Sequence, residues 1–474
     1  RLAHKEVTIL MERTPITRWL PHLVATAIVL CGLLVGTLIH FYANQIVQAA
    51  KPHYVINRPE YVYAGAVNKD RTFPCQTTNP ATCFGPKQIQ AAYEIAPVLA
   101  KGITGKGHTI VIIDAYQSPT IRHDLHTFDT LFGLPDPPSL TIVAPDGLPP
   151  FNPFDSTQVG WAAEISLDVE WAHAIAPDAA ITLVLAKSNQ DIDVLNATRY
   201  AIDHNLGDII SQSFGEGESC VDPQLLKQEH ELFAKAVAQG ITLFAASGDQ
   251  GAAQYTCDGN SYFLSVSSPA SDPLVTAVGG TLLAANGTTG SYQSEAAWDE
   301  PQYQAASGGG FSTAYPRPDY QNGVTQIGGY RGLPDVAFNA GIDSGVLVVW
   351  SSSGEGEDLV FRFGGTSAGS PQWAGIAALA AQMAGHRLGN LNPALYAIGR
   401  SNLYTQAFHD ITSGDNTFVG QDVQGNAVAI QGYSAGPGWD AVTGLGTPRV
   451  AKLLPLLIQP PSSAPMRPLL SKTS

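Results

Sequence analysis

Basic side chains are scarce: lysine and arginine number 25 against 40 aspartates and glutamates, giving a formal net charge of −15. Nucleic acid and anionic membrane surfaces are therefore poor partners. Few carboxylates can depend on an ion pair, and paired carboxylates are the groups whose protonation unfolds proteins in acid. The composition is compatible with work at low pH. Cysteine is sparse as well, with five residues. Cys31 lies in an apolar run, and Cys75, Cys83, Cys220 and Cys257 make an even set that can form two bridges in an oxidising compartment. Three pairings are open. Closeness in the chain favours Cys75 with Cys83, and Cys220 with Cys257 follow neighbouring strands.

Charge is missing altogether from Leu23 to Ile39, a stretch long enough to span a bilayer, with Trp19 before it and Phe41-Tyr42 after it. Arg13 and Arg18 precede the run and Lys51 is the first charge after it, so the positive-inside rule leaves residues 1–22 in the cytoplasm. Residues 23–42 read as a transmembrane helix or signal-anchor. The alternative is a long signal peptide cleaved after Val47-Gln48-Ala49. Either way the remainder is exported, secreted or membrane-anchored through this helix. Residues 43–84 are polar, without a sustained period, and read as a linker; 458–474 form a Pro/Ser-rich tail.

With 474 residues, 44% of them hydrophobic, and 47 Gly and 33 Pro, the chain is loop-rich and long enough for one large domain or two ordinary ones. From Phe84 apolar strands alternate with helical stretches. The strands are Thr109 to Asp114, Leu140 to Val143, Ile181 to Leu185, Asp208 to Ser213, Ile241 to Ala246 and Leu274 to Val278. The helices are Pro119 to Phe132, Gln158 to Ala174, Gln190 to His204 and Pro223 to Gln239. This is an α/β series and predicts a mostly parallel central sheet with helices on both faces over residues 85–457. Ligand sites in such sheets gather at the carboxyl ends of the strands, where Asp114, Ser213 and Asp249 stand. Residues 298–339 read as loop-rich.

Gly364-Gly365-Thr366-Ser367-Ala368-Gly369-Ser370-Pro371 ends a strand and opens the run Gln372 to Met383, apolar on nearly every face, which reads as a buried helix. Pro371 fits its first turn. Ser367 thus sits at a helix N-terminus, its hydroxyl approachable and backbone N–H groups near any anion forming there. That is a position for a nucleophile, although small residues and caps alone would also look this way. In Trp161 to Trp171, Glu164 and Asp168 are spaced i, i+4, about 40° apart on one helical face. No Lys or Arg is in reach, and two such acids are stable when one keeps a proton. His173 is turned about half a circle from Glu164 and reads as structural. Asp249, in Ser247-Gly248-Asp249, is an acid between glycines at a strand end, where an Asx turn is the plain alternative.

Taken together these stretches resemble the sedolisin family of serine-carboxyl peptidases, which share a subtilisin-like fold. The match runs from Phe84 to Leu457 and includes Ile112-Ile113-Asp114-Ala115-Tyr116, Glu164-x-x-x-Asp168, Ser247-Gly248-Asp249, Arg331-Gly332-Leu333-Pro334-Asp335 and Gly365-Thr366-Ser367-Ala368. The resemblance implies an acid-acting endopeptidase on unfolded polypeptides. Ser367 would be the nucleophile, Glu164 its general base, Asp168 the residue that orients Glu164, and Asp249 the acid donating to the oxyanion. Ser213, Phe214 and Gly215 would bind substrate. A monomer is expected. The subtilisin His-Gly-Thr-His-type helix and oxyanion Asn are both missing, so a Ser-His-Asp reading fails.

Asp410-Ile411 and Ala435-Gly436-Pro437-Gly438-Trp439-Asp440 offer two carboxylates and free carbonyls in Gly-rich turns, a hard-oxygen cage suited to Ca²⁺. By resemblance one structural calcium ion takes the side chains of Asp410 and Asp440 and the carbonyls of Ile411, Gly436 and Gly438. Two departures stand out. Only residues 43–84 occupy the place of the family's folded propeptide, and Phe214 stands where many relatives have Trp. An exopeptidase of the tripeptidyl type and a catalytically dead exported binding protein are the competing readings.

Overall fold

The computed structural model describes residues 54–56 and 60–459. The apolar stretch 23–42 and nearly all of the tail lie outside them. Among the described residues no helix is long and apolar enough to cross a membrane.

The first regular element is β1, Tyr61–Ala66, followed by β2, Thr109–Ala115, and the helix α1, Ile121–Phe132. Then come β3 (Leu140–Val143), α2 (Ser156–Ile175), β4 (Ala180–Ala186), α3 (Asp191–Asp203), β5 (Ile209–Gln212), α4 (Pro223–Ala238) and β6 (Thr242–Ala246). The chain continues through β7 (Thr276–Ala285), β8 (Tyr292–Ala297), β9 (Val336–Asn339), β10 (Gly345–Val349), β11 (Leu359–Phe363) and α5 (Gly369–Ala384). An eight-stranded sheet runs β8-β7-β6-β5-β2-β4-β3, with β9 also paired to β7. All its pairings are parallel except β7 with β8. Strand–helix–strand crossovers of this kind need helices on the faces of the sheet.

Alternate side chains of each strand serve two cores. Ile110 and Ile112 of β2, with Leu183 of β4 and Phe244 of β6, pack in one cluster with α2 and α5. Val111 and Ile113, with Val184, Leu243 and Ala245, pack in the other with α3 and α4. Near-continuous apolar strands are what burial on both faces requires. Both α2 and α5 are enclosed by protein: from Trp161 to Ile175 every residue of α2 is buried, as is every residue of α5 from Gly369 to Ala381. Asp155 starts α2 by accepting from the Thr157 and Gln158 amides.

The expected strands and helices recur with end shifts of a few residues, except that β7 continues to Ala285. The linker reading of 43–84 needs correction over its second half. There β1 pairs with β11 in a four-stranded sheet, β1-β11-β10 and Cys83–Phe84. Tyr61 packs on Trp350, Phe361 and Phe363. Cross-strand aromatic pairing with a distant strand holds this segment in place, and no periodicity inside 43–84 announces it. The loop-rich stretch 298–339 likewise supplies β9, whose four residues lie against β7. Disulfides join Cys75 to Cys83 and Cys220 to Cys257, as the chain order favoured.

Candidate active site

Ser367 sits in a tight turn, Thr366–Ala368, between β11 and α5. The turn depends on Gly365, whose φ of 103° is left-handed territory, and a β-carbon there would come within 2.8 Å of Asp249 Oδ2. Ser367 is 6% exposed and lines a cleft together with Ser213, Phe214, Gly215 and Asp249. Its Oγ donates to the Ser213 carbonyl at 3.5 Å.

Two carboxyl groups are tied to this turn from opposite sides. On one side Thr366 donates its N–H and its hydroxyl to Asp249 Oδ1, at 2.8 and 2.7 Å. That leaves Oδ2 as the oxygen that can carry a proton. Burial raises the pKa of Asp249 above the ordinary carboxyl value, and the Thr366 bonds oppose the rise. On the other side Ser213 Oγ donates to Asp168 Oδ1 at 2.8 Å and approaches the Ser367 carbonyl at 3.4 Å. Glu164, one turn earlier on α2, also bears on Asp168 and lowers its pKa.

Glu164 and Asp168 are fully buried on α2. Burial, followed by the negative charge of Asp114, pushes Asp168 well above its usual range, against the hydrogen bonds from Ser213 and Glu164. Asp114, the sixth residue of β2, is also fully buried, and both its carboxyl oxygens lack a hydrogen-bond partner among the described residues. Burial and the charge of Glu164 raise it well above normal. Three acids thus meet where one negative charge is tolerated more readily than three, so protons are retained. The pair predicted on α2 is present; the third acid was visible only as a polar residue ending a buried strand.

His173 stays out of the site. It is fully buried, with Nε2 2.7 Å from the Pro135 carbonyl and 3.1 Å from Asp129 Oδ1. Phe214 packs on Trp161 of α2, ring centroids 6.1 Å apart. Sequence reasoning missed Thr366 as the anchor of Asp249, although its place beside Ser367 was in view. It also missed Ile56. The Ile56 N–H donates to the Gly215 carbonyl at 2.8 Å, the Gly215 N–H returns to the Ile56 carbonyl at 3.3 Å, and Val55 bonds to Asn189. A segment of this chain therefore lies as an extended antiparallel strand along the cleft wall.

The carboxylates of Asp410 and Asp440 both meet the turn that carries Gly436 and Gly438. Gly438 N–H donates to both oxygens of Asp410, at 3.1 and 3.2 Å, and Gly436 N–H to Asp440 Oδ2 at 3.0 Å. Asp440 Oδ1 accepts from the Val442 and Thr443 amides. Gly436 and Gly438 face open space, with nothing within 4 Å of where a β-carbon would stand. Two carboxylates on one open glycine turn fit the oxygen donor set of a hard cation. Among the described residues no group of three or more His, Cys, Asp or Glu side chains forms a metal cluster.

A sequence model of the subtilase family matches residues 159–394. The chain is similar to kumamolisin of Bacillus sp. (strain MN-32), 32% identical over 428 residues, covering 88% of this chain and 69% of that protein. It is 30% identical over 389 residues to sedolisin of Pseudomonas sp. (strain 101), covering 76% and 62%. To tripeptidyl-peptidase 1 of Homo sapiens it is 33% identical over 275 residues, covering 52% and 43%. Among solved structures, Pseudomonas sedolisin, a serine-carboxyl proteinase complexed with two molecules of pseudo-iodotyrostatin, superposes with a TM-score of 0.65 at 28% identity. The superposition covers 79% of this chain and 97% of that one.

Proposed function

Because the chain belongs to the sedolisin family of serine-type peptidases, we propose that it hydrolyses internal peptide bonds of extended polypeptides in acid, through an acyl-enzyme on Ser367. The observation that carries this reading is that Ser367 is flanked by two tethered acids. Thr366 holds Asp249 on one side, and Ser213 holds Asp168 on the other.

In the first step Ser367 Oγ attacks the substrate carbonyl carbon while its proton passes to Glu164. As Glu164 takes that proton on one oxygen, it hands the proton on the other to Asp168, so the buried pair gains one proton and no carboxylate is left stranded. Asp249, protonated on Oδ2, donates to the oxyanion. The pair then protonates the leaving amine. Water repeats the sequence on the ester and frees Ser367. The raised pKa of Asp249 keeps its proton to higher pH than an exposed carboxyl allows, which favours acid conditions, and the raised pKa of Asp168 makes it a willing acceptor of the proton that Glu164 hands on.

Cleavage within a chain is favoured over release of tripeptides by the path of Tyr54 to Ile56. This extended segment takes both backbone groups of Gly215 and continues past it to Asn189 and Gln190, so a substrate that displaced it would find an edge along which a peptide can run on. Ser213, Phe214 and Gly215 are the substrate-binding edge in this reading. A catalytically dead binding protein is disfavoured by the completeness of the acid set.

Asp410 and Asp440, with the carbonyls of Ile411, Gly436 and Gly438, would hold one structural calcium ion, which would brace the turn against the repulsion of its own carboxylates. The two disulfides favour an oxidising, extracytoplasmic location, and residues 23–42 would be the anchor or leader that delivers the domain there. The deciding assay uses denatured protein in acidic buffer with Ser367→Ala, Glu164→Ala and Asp249→Ala. Retained turnover in any of the three would sink the mechanism. Product masses from an N-terminally blocked substrate separate internal cleavage from tripeptide release.

A further inference from the structure

Glycines hollow out the wall of the cleft beneath Asp249. A β-carbon on Gly215 would collide with Ser267 Oγ, one on Gly248 would stand 2.7 Å from Gln254 Nε2, and one on Gly217 would stand 3.2 Å from Gln254 Cβ. Gly248 has a φ of 110°, which keeps side chains out on its own account. Into this hollow the short strand Ala253–Tyr255 sends Gln254, which is 5% exposed. Its Nε2 is buried at the cleft wall and has no hydrogen-bond partner among the described residues. Leaving a buried amide donor unpaired costs ~1–3 kcal/mol, so the position is informative.

The hollow opens beside Ser367 and Asp249. A carbonyl held between those two residues directs the side chain of its own residue, the acyl-side or P1 residue, between the Ser213–Gly215 edge and Ala246–Gly248. Phe214 and Tyr255 supply apolar walls, and Asp249 at the mouth is the one carboxyl lining it. A lysine or arginine finds no dedicated counter-ion there, and a purely apolar side chain leaves the Gln254 amide unpaired.

We infer that Gln254 selects a P1 side chain ending in a neutral, planar donor–acceptor group, which a glutamine carboxamide supplies at every pH and a glutamate carboxyl supplies while protonated. This rests on the peptidase reading above and adds the class of bond cleaved. The substrate group accepts from Gln254 Nε2 and returns a hydrogen bond to its oxygen, while its methylenes lie on Phe214 and Tyr255.

The test is kcat/KM on quenched peptides that differ at P1 alone, carrying Gln, Glu, Met or Lys, for the unmodified protein and for Gln254→Met. Methionine matches glutamine closely in length without its polar end. The unmodified protein is expected to favour Gln over Met by about ten-fold or more, and Gln254→Met to level or invert that ratio. Glutamate should track glutamine near about pH 3 and fall behind near about pH 5.5 as it ionises. Preference of the unmodified protein for Met or Lys, an unchanged ratio in Gln254→Met, or a glutamate preference that grows on ionisation would each overturn the inference while leaving the peptidase reading intact. No cleavage of any peptide would overturn both. The unmodified protein's own profile decides the matter even if the variant does not fold.

Discussion

Thr366 gives both of its donors to a single oxygen of Asp249, at 2.8 Å from the backbone N–H and 2.7 Å from the hydroxyl. The residue beside Ser367 thus fixes which face of the acid looks into the cleft. It also sets the acid's proton affinity, because donors to a carboxylate stabilise its ionised form.

In the proposed mechanism, removing this acid removes the oxyanion donor. Asp249→Ala should lower kcat by ~10²–10³. Asp249→Asn keeps an acceptor for Thr366 and a donor that never ionises, so its residual activity should persist further into neutral pH than that of the unmodified protein. The full pH dependence of kcat for the three proteins checks this. An Asn variant with an unshifted alkaline limb would remove Asp249 from the role.

Thr366→Val deletes the hydroxyl donor and spares the backbone one. Because that bond lowers the Asp249 pKa, its loss should raise it and move the alkaline limb of kcat to higher pH. A limb that moves to lower pH would mean that Thr366 acts on another group.

Stability should fall as pH rises from acid towards neutral. Asp114, Asp168 and Glu170 are fully buried with pKa values raised well above normal, burial being the main cause in each. In the unfolded chain they ionise in the usual carboxyl range near about pH 4, and in the folded protein only above it. The stabilisation is therefore complete below the unfolded values and is lost as pH climbs through the folded ones. Glu170 accepts from the Val349 amide at 3.0 Å and lies apart from the cleft lining, so Glu170→Gln should keep that bond and flatten the decline. Tm measured by calorimetry from acid to neutral pH reads both effects. A Tm that rises steadily towards neutrality would contradict this account.

Chelation should lower Tm, and added Ca²⁺ should restore it by mass action. Asp410→Asn and Asp440→Asn should each abolish the Ca²⁺ response while leaving the active-site titration of Ser367 by an acylating reagent intact at low temperature. Unchanged Tm with a chelator in excess would argue that the glycine turn holds itself together without a metal.

Much of this arrangement could be read from the chain alone, for identifiable reasons. The sheet strands are short apolar runs bounded by turn residues, and Glu164 and Asp168 stand out because acids at i, i+4 without a basic partner are rare among tryptophans. Gly365 and Ser367 announce a strand-to-helix turn. What escaped is what depends on distant partners. β1 looks like linker because its stability comes from Trp350, which follows β10, and Phe361 of β11, some 300 residues later. Ile56 gave no signal, since one aliphatic residue in a polar stretch carries no period. Thr366 was seen as a possible cap, but its engagement of Asp249, 117 positions earlier, has no local signature. Gln254 has no local signature for the same reason: only the glycines across from it make its amide conspicuous.

α2 is enclosed by protein along the length that carries its acids, and Ser213 is the group that connects Asp168 to the cleft. On the proposed mechanism, protons entering or leaving the acid cluster would pass Ser213 and Ser367, the same ground a bound peptide would cover. In the proposed mechanism the charge of the cluster is then set before docking, and acylation only relays the Ser367 proton through the pair to the leaving amine. A change of solvent acidity after the peptide is seated would be felt on the next turnover, after departure of the product.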